Sequence, residues 1–164
     1  MSLPQNIGVS SAVQRAARYG GVVAAERFLR LTADGIAWAE PCEASLEFGR
    51  VGRQRHVDCE IHGVLMLRCQ PCEQGFRRSV SINTRWVLVE TDEAEQAALA
   101  DAEPVRFTDD TLAVDEALEQ EVMLDLPVLA RCPACEQKLA ETPSATPTGE
   151  PTHRPFAGLQ LGKR

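Results

Sequence analysis

Apolar and polar residues alternate along the chain from Glu43 to Val89. Ala44-Ser45-Leu46-Glu47-Phe48 reads as a strand, Val51-Gly52-Arg53-Gln54 as a turn, and His56-Val57-Asp58-Cys59-Glu60-Ile61 as a second strand. His62-Gly63 offers a tight connection to Val64-Leu65-Met66-Leu67-Arg68, which runs straight into the turn Cys69-Gln70-Pro71-Cys72. Arg78-Ser79-Val80-Ser81-Ile82 and Arg85-Trp86-Val87-Leu88-Val89 continue the alternation, with Phe76 and Trp86 as core candidates. Strands this short with hairpin-length connections build an antiparallel sheet.

The pattern then changes period. Thr91 caps a short acidic helix over 92–99, whose acidic first turn complements the helix dipole. Glu103–Phe107 is extended and Thr108-Asp109-Asp110 turns the chain. A helix comes next over Asp115–Leu124, with Leu118, Val122 and Leu126 on one face and Pro127 as its stop. Its many carboxylates read as a solvated acidic face and not as catalytic acids. Val128–Arg131 delivers a second turn, Cys132-Pro133-Ala134-Cys135. Ahead of the sheet, the alanine-rich stretch from Ser11 to Tyr19 favours helix until Gly20-Gly21 breaks it. Arg15 and Arg18 would share a face of that helix. The whole predicts an α+β fold: an antiparallel β-sheet core of about five or six strands, short helices, and a CxxC/CxxC metal knuckle.

At 164 residues with 44% apolar content, the chain suits one domain with tails. The expected boundaries are a domain over 1–137 with an N-terminal helical segment, a disordered Pro/Thr/Ser/Ala linker over 138–153, and a docking tail over 154–164. That tail, Arg-Pro-Phe-Ala-Gly-Leu-Gln-Leu-Gly-Lys-Arg, offers Pro155, Phe156 and Leu159 to a partner. No apolar run reaches the ~18 residues of a membrane span, and no secretory signal opens the sequence. A cytoplasmic protein is the expectation, without a small-molecule substrate.

Charge is unevenly spread. Residues 1–90 carry 11 Arg, no Lys, and 9 acidic residues, whereas residues 91–141 carry 3 basic and 14 acidic residues. The acidic middle repels nucleic acid and favours a basic protein partner. Arginine without lysine favours bidentate phosphate contacts, so an RNA surface would draw on Arg15, Arg18, Arg68, Arg77 and Arg78.

The two CxxC turns are the most specific chemistry in the chain. Two intervening residues let a turn aim both sulfurs at one point, and zinc takes four such ligands in a tetrahedron. Cys69, Cys72, Cys132 and Cys135 together make a complete set, provided that the fold closes the 59 residues between the pairs. Two other readings stand beside it. The pairs could be reduced surface turns, or Cys69-Gln70-Pro71-Cys72 could be a thiol redox motif, although the residues after Cys72 alternate like a strand and do not form the helix such a motif needs. Cys42 and Cys59 lie in apolar or strand-like surroundings and read as small buried hydrophobes. His56 and His62 read as ordinary strand or turn residues.

The order of these features resembles the YceD family of bacterial large ribosomal RNA subunit accumulation proteins. Leu67-Arg68-Cys69-Gln70-Pro71-Cys72 is similar to that family's L-x-C-x-R-C segment, with Pro71 in place of the arginine. Leu118 to Pro127 is similar to its acidic helix with a leucine-proline exit, and Arg154 to Leu161 to a terminal N-P-F-x-x-L. Many members carry a histidine or a lone cysteine where this chain has the pair Cys132 and Cys135. The resemblance implies a ribosome biogenesis factor that supports 23S ribosomal RNA synthesis or processing and large-subunit accumulation. Its partner would be large-subunit rRNA, its precursor, or a large-subunit ribosomal protein. No nucleophile–base pair, phosphate-cradling glycine loop or nuclease carboxylate cluster is visible, so no enzyme is expected and the zinc would be structural. A thiol redox protein and an acidic adaptor for a basic ribosomal protein are the alternatives.

Overall fold

A computed structural model describes residues 2–100 and 102–141. In chain order the elements are β1 (Asn6–Gly8), α1 (Val9–Gln14), β2 (Arg18–Val23), a 3-10 turn (Ala25–Arg27), α2 (Leu29–Ala33), β3 (Ala37–Val51), β4 (Gln54–Arg68), β5 (Gly75–Val89), α3 (Asp92–Ala98), β6 (Glu103–Arg106), β7 (Thr111–Ala113), α4 (Val114–Asp125) and α5 (Pro133–Glu141). The chain divides into two compact units, residues 1–132 and 133–164, and the second contributes α5.

The expected α+β architecture is present, built on a five-stranded sheet in the order β2-β3-β4-β5-β6. Its first four strands run antiparallel, and β6 pairs parallel to β5 through the crossover helix α3. A separate two-stranded ribbon joins β1 to β7, with Ile7 opposite Leu112. Alternation along β4 places Val57, Cys59, Ile61, Leu65 and Leu67 on one buried face, while Glu60, His62, Met66 and Arg68 point outward. That face packs with Leu46, Phe48 and Trp86 against Val9 and Ala12 of α1, Leu31 of α2, and Leu118 and Val122 of α4. Each fully buried side chain of this kind contributes roughly 1.5–3 kcal/mol.

Three features differ from the expectations drawn from sequence. The strands are longer, because β3, β4 and β5 each span 15 residues. His62-Gly63 is therefore no connection but lies inside β4, where Gly63 faces the core. A Cβ at Gly63 would stand 2.5 Å from Cζ3 of Trp38, so the glycine makes room for the indole. Gly20-Gly21 likewise sits within β2, paired with Ser45 and Ala44. Arg15 caps the end of α1 and Arg18 opens β2, so the two share no helical face.

The β3–β4 hairpin turns through Gly52-Arg53, with Gly52 at φ 60°, the left-handed geometry that two-residue hairpin turns require. Thr91 caps α3 as expected, its hydroxyl accepting from the Ala94 amide at 3.2 Å. The acidic helix α4 is not solvated all round. Glu119 and Glu121 are buried, and each carboxylate has a partner from distant sequence. Glu119 accepts the Arg30 and Leu31 amides at 2.7 and 3.1 Å, which caps the first turn of α2, and it also accepts the Arg30 Nε at 3.1 Å. Glu121 accepts the Trp86 indole N–H at 2.8 Å. The second unit's helix α5 carries regular structure beyond residue 137 to Glu141. The rest of the expected linker, and the tail residues Pro155, Phe156 and Leu159, lie outside the described residues.

Candidate metal centre

Strand β4 ends at Arg68, and Cys69 succeeds it directly as the last buried position of the core-facing row. The chain then folds back on itself. The Cys69 amide donates to the Gln74 carbonyl at 2.8 Å, and the Glu73 amide returns to the Cys69 carbonyl at 2.8 Å. Glu73 reaches this turn with φ 59°, in the left-handed region that non-glycine residues rarely occupy. The Arg68 guanidinium holds the Glu73 carbonyl at 3.1 Å.

The second turn is held to the first by backbone. The Gln70 amide donates to the Ala130 carbonyl at 2.8 Å, so the strand end and the segment after α4 are fastened two residues before Cys132. The Cys132 amide donates to the Cys69 Sγ at 3.2 Å, and the sulfurs of Cys72 and Cys132 stand 3.8 Å apart. Cys135 lies three residues beyond Cys132, at the start of α5. The ligand atoms of Cys69, Cys72, Cys132 and Cys135 all lie within 4.8 Å of one another.

A tetrahedron with arms of about 2.3 Å, the zinc–sulfur distance, has edges of about 3.8 Å. The Cys72–Cys132 separation of 3.8 Å matches that edge. Four thiol sulfurs are also the donor set that soft divalent metals select. The four cysteines therefore come together as a cluster that could hold a metal ion. Burial of Cys69 opposes ionisation, but amide donors from Cys132 and Cys72 and the neighbouring thiols outweigh it, leaving its pKa lowered to about 6. The turns thus favour the thiolate, the form that ligates metal.

The other cysteines and histidines stay apart from this cluster. Cys42 and Cys59 are buried in the core, as the strand pattern implied. Burial, with the Glu43 charge second, pushes the Cys42 thiol up to about 12, and burial pushes Cys59 up as well. The His56 ring lies against the backbone of Gly49, and His62 is exposed on the outer sheet face.

Each of the five arginines expected at an RNA surface already has a partner within the chain. Arg18 pairs with Glu47, Arg68 with Glu73, Arg77 with Glu40 and Arg78 with Asp125. Arg15 bonds to the Ser11 carbonyl of its own helix. A different basic feature stands at the β3–β4 hairpin. Arg50 lies directly opposite Arg55, Arg53 sits in the turn, and Val51 between them is 66% exposed. Arg55 pairs with Glu90 and lies over the Phe107 ring at 4.6 Å, but among the described residues no carboxylate pairs with Arg50 or Arg53. The run Arg50-Val51-Gly52-Arg53-Gln54-Arg55 carries that signal in the sequence, where the turn reading obscured it.

No helix among the described residues is long and apolar enough to cross a membrane. Comparison with curated proteins finds no match, and comparison with solved structures finds none either. A family model described as "Large ribosomal RNA subunit accumulation protein YceD" matches residues 57–161, which takes in β4, β5, α4 and all four clustered cysteines.

Proposed function

This chain belongs to the YceD family of large ribosomal RNA subunit accumulation proteins, and on that premise we propose that it is a non-catalytic ribosome biogenesis factor supporting 23S rRNA and large-subunit accumulation, held together by one structural zinc. The observation that carries the zinc reading is the meeting of two CxxC turns, 59 residues apart in sequence, within 4.8 Å. Cys69, Cys72, Cys132 and Cys135 would hold the ion, which supplies folding energy by cross-linking the end of β4 to the segment beyond α4. Redox chemistry fits less well. In the first pair, Cys69 follows strand β4, no helix follows Cys72, and Cys69 is buried, whereas a redox thiol needs access to its substrate.

The RNA-facing surface of this reading is the β3–β4 hairpin. Arg50 and Arg53 are exposed there without a carboxylate partner among the described residues, whereas Arg55 beside them is held by Glu90. A phosphate would give the Arg50 and Arg53 guanidiniums the anion they lack. The paired Arg18, Arg68, Arg77 and Arg78 would contribute less, because each already has a carboxylate.

Ultraviolet crosslinking in the native cell, with sequencing of RNA bound to the tagged chain, tests this function. Discrete enrichment of 23S precursor, reduced in an Arg50→Ala/Arg53→Ala double variant, is the expected result. Recovery at the level of an unrelated protein control would refute direct rRNA contact.

A further inference from the structure

Helices α3 and α4 and strand β6 enclose an open groove of about 750 Å3 within the first unit. Among the described residues, nine large apolar side chains are exposed, and three of them line this groove. Leu29 is 73% exposed, Leu99 58% and Leu124 67%. Val105 and Ala117 contribute to the same lining. Grouped exposed leucines mark an interaction surface, because scattered ones would not converge on one concavity. Exposure above one half also shows how open the groove is. A small-molecule pocket encloses most of its ligand, whereas this shape suits an elongated segment laid across it.

The rim gives the charge of that segment. Glu95, Glu103 and Glu116 stand around the leucines, and no basic partner among the described residues pairs with Glu95 or Glu116. The two arginines of the lining are already engaged, Arg30 with Glu119 and Gln120, and Arg106 with Asp92. On α4, Glu116, Gln120 and Leu124 recur every fourth residue and form one stripe along the groove. Negative charge repels a nucleic acid backbone.

We propose that this groove docks a lysine- or arginine-rich amphipathic segment of a partner protein, with its apolar face on Leu29, Leu99 and Leu124 and its cations on Glu95, Glu103 and Glu116. The arrangement is the helix-in-groove mode of peptide recognition, with apolar anchors giving affinity and the acidic rim selecting sign and register. It goes beyond the RNA-facing role and stands independently of it, since the groove shares no residue with the β3–β4 hairpin or the cysteine cluster.

Fluorescence anisotropy on the full chain tests the proposal with two fluorescein-labelled probes of equal length and charge. One is a peptide of about 14 residues whose leucines and lysines place all leucines on one helical face, and the other replaces every leucine with serine. The leucine–lysine probe should bind with a Kd of about 10 µM or tighter, at least about tenfold below that of the serine–lysine probe. Leu124→Glu and Glu116→Lys, both at exposed positions, should each weaken it about fivefold or more, with unchanged circular dichroism. Equal binding of the two probes, no binding, or indifference to both substitutions would overturn the proposal. Binding that tightens about tenfold when residues 154–164 are deleted would also overturn it, by identifying the chain's own basic tail as the occupant.

Discussion

Trp38 occupies the space that a side chain at Gly63 would need, with Cζ3 2.5 Å from the position of a Cβ there. The indole also lies against Phe28, with ring centroids 5.1 Å apart, so it has little freedom to withdraw. Gly63→Ala should therefore destabilise the protein by about 1–3 kcal/mol through overpacking, although alanine has the better strand propensity. Urea unfolding checks this, and restoration of stability by Trp38→Leu in the Gly63→Ala background would identify the clash as the cause.

Glu119 joins α4 to α2 by accepting two backbone amides and one guanidinium N–H. Helix α2 has only five residues and no side-chain cap of its own, so this carboxylate supplies the cap from 89 residues away. Glu119→Ala should cost about 2–4 kcal/mol, more than an exposed cap, because it also leaves the buried Leu31 amide unpaired. Glu119→Gln keeps an acceptor and should cost less. Thermal melts of both variants give the comparison.

Glu121 makes stability depend on pH. Its pKa is raised, first by burial and then by the Glu103 charge, against the lowering effect of the Trp86 hydrogen bond. The folded state holds this proton more tightly than the unfolded chain does. Its contribution is therefore fully present below the ordinary carboxylate pKa and is lost as pH rises through the raised value. Glu121→Gln keeps the acceptor for the indole N–H and removes the ionisation. The variant should melt higher than the parent at about pH 7–8, with the gain vanishing near about pH 4. A gain that is the same at both pH values would contradict this origin.

Glu73 holds the first CxxC turn at φ 59°. Its salt bridge to Arg68 joins two side chains that are each about three-quarters exposed, so it contributes little to stability. Glu73→Gly should therefore stabilise the folded protein by roughly 0.5–1 kcal/mol by relieving left-handed strain. A chemical denaturation midpoint measured at constant metal loading decides the sign.

Much of this architecture is legible in local sequence. Alternation finds the segments of β4 and β5, though it reads each as two shorter strands; Thr91 marks the start of α3, and the Leu118–Val122 spacing with Pro127 finds α4 and its end. The paired CxxC spacing identifies the four cysteines that the fold brings together. What stays hidden depends on partners far along the chain. Gly63 reads as a turn until Trp38 is seen beside it, and Gly20-Gly21 reads as a break until β3 is seen to pair with it. Glu119 and Glu121 look like any other carboxylate on an acidic helix, because nothing near them in sequence announces Arg30, Leu31 or Trp86. The parallel pairing of β6 likewise depends on where α3 returns the chain, which periodicity does not encode.

Native mass spectrometry of the full chain purified without chelator, alongside Cys69→Ser and Cys135→Ser, would show whether a single zinc closes the 59-residue loop between the two CxxC turns. One zinc per parent chain, its loss in each variant, and a lower melting temperature for both variants and for the chelator-treated parent are the expected results. A parent chain without metal, melting at the same temperature as both variants with or without chelator, would contradict the single-zinc reading.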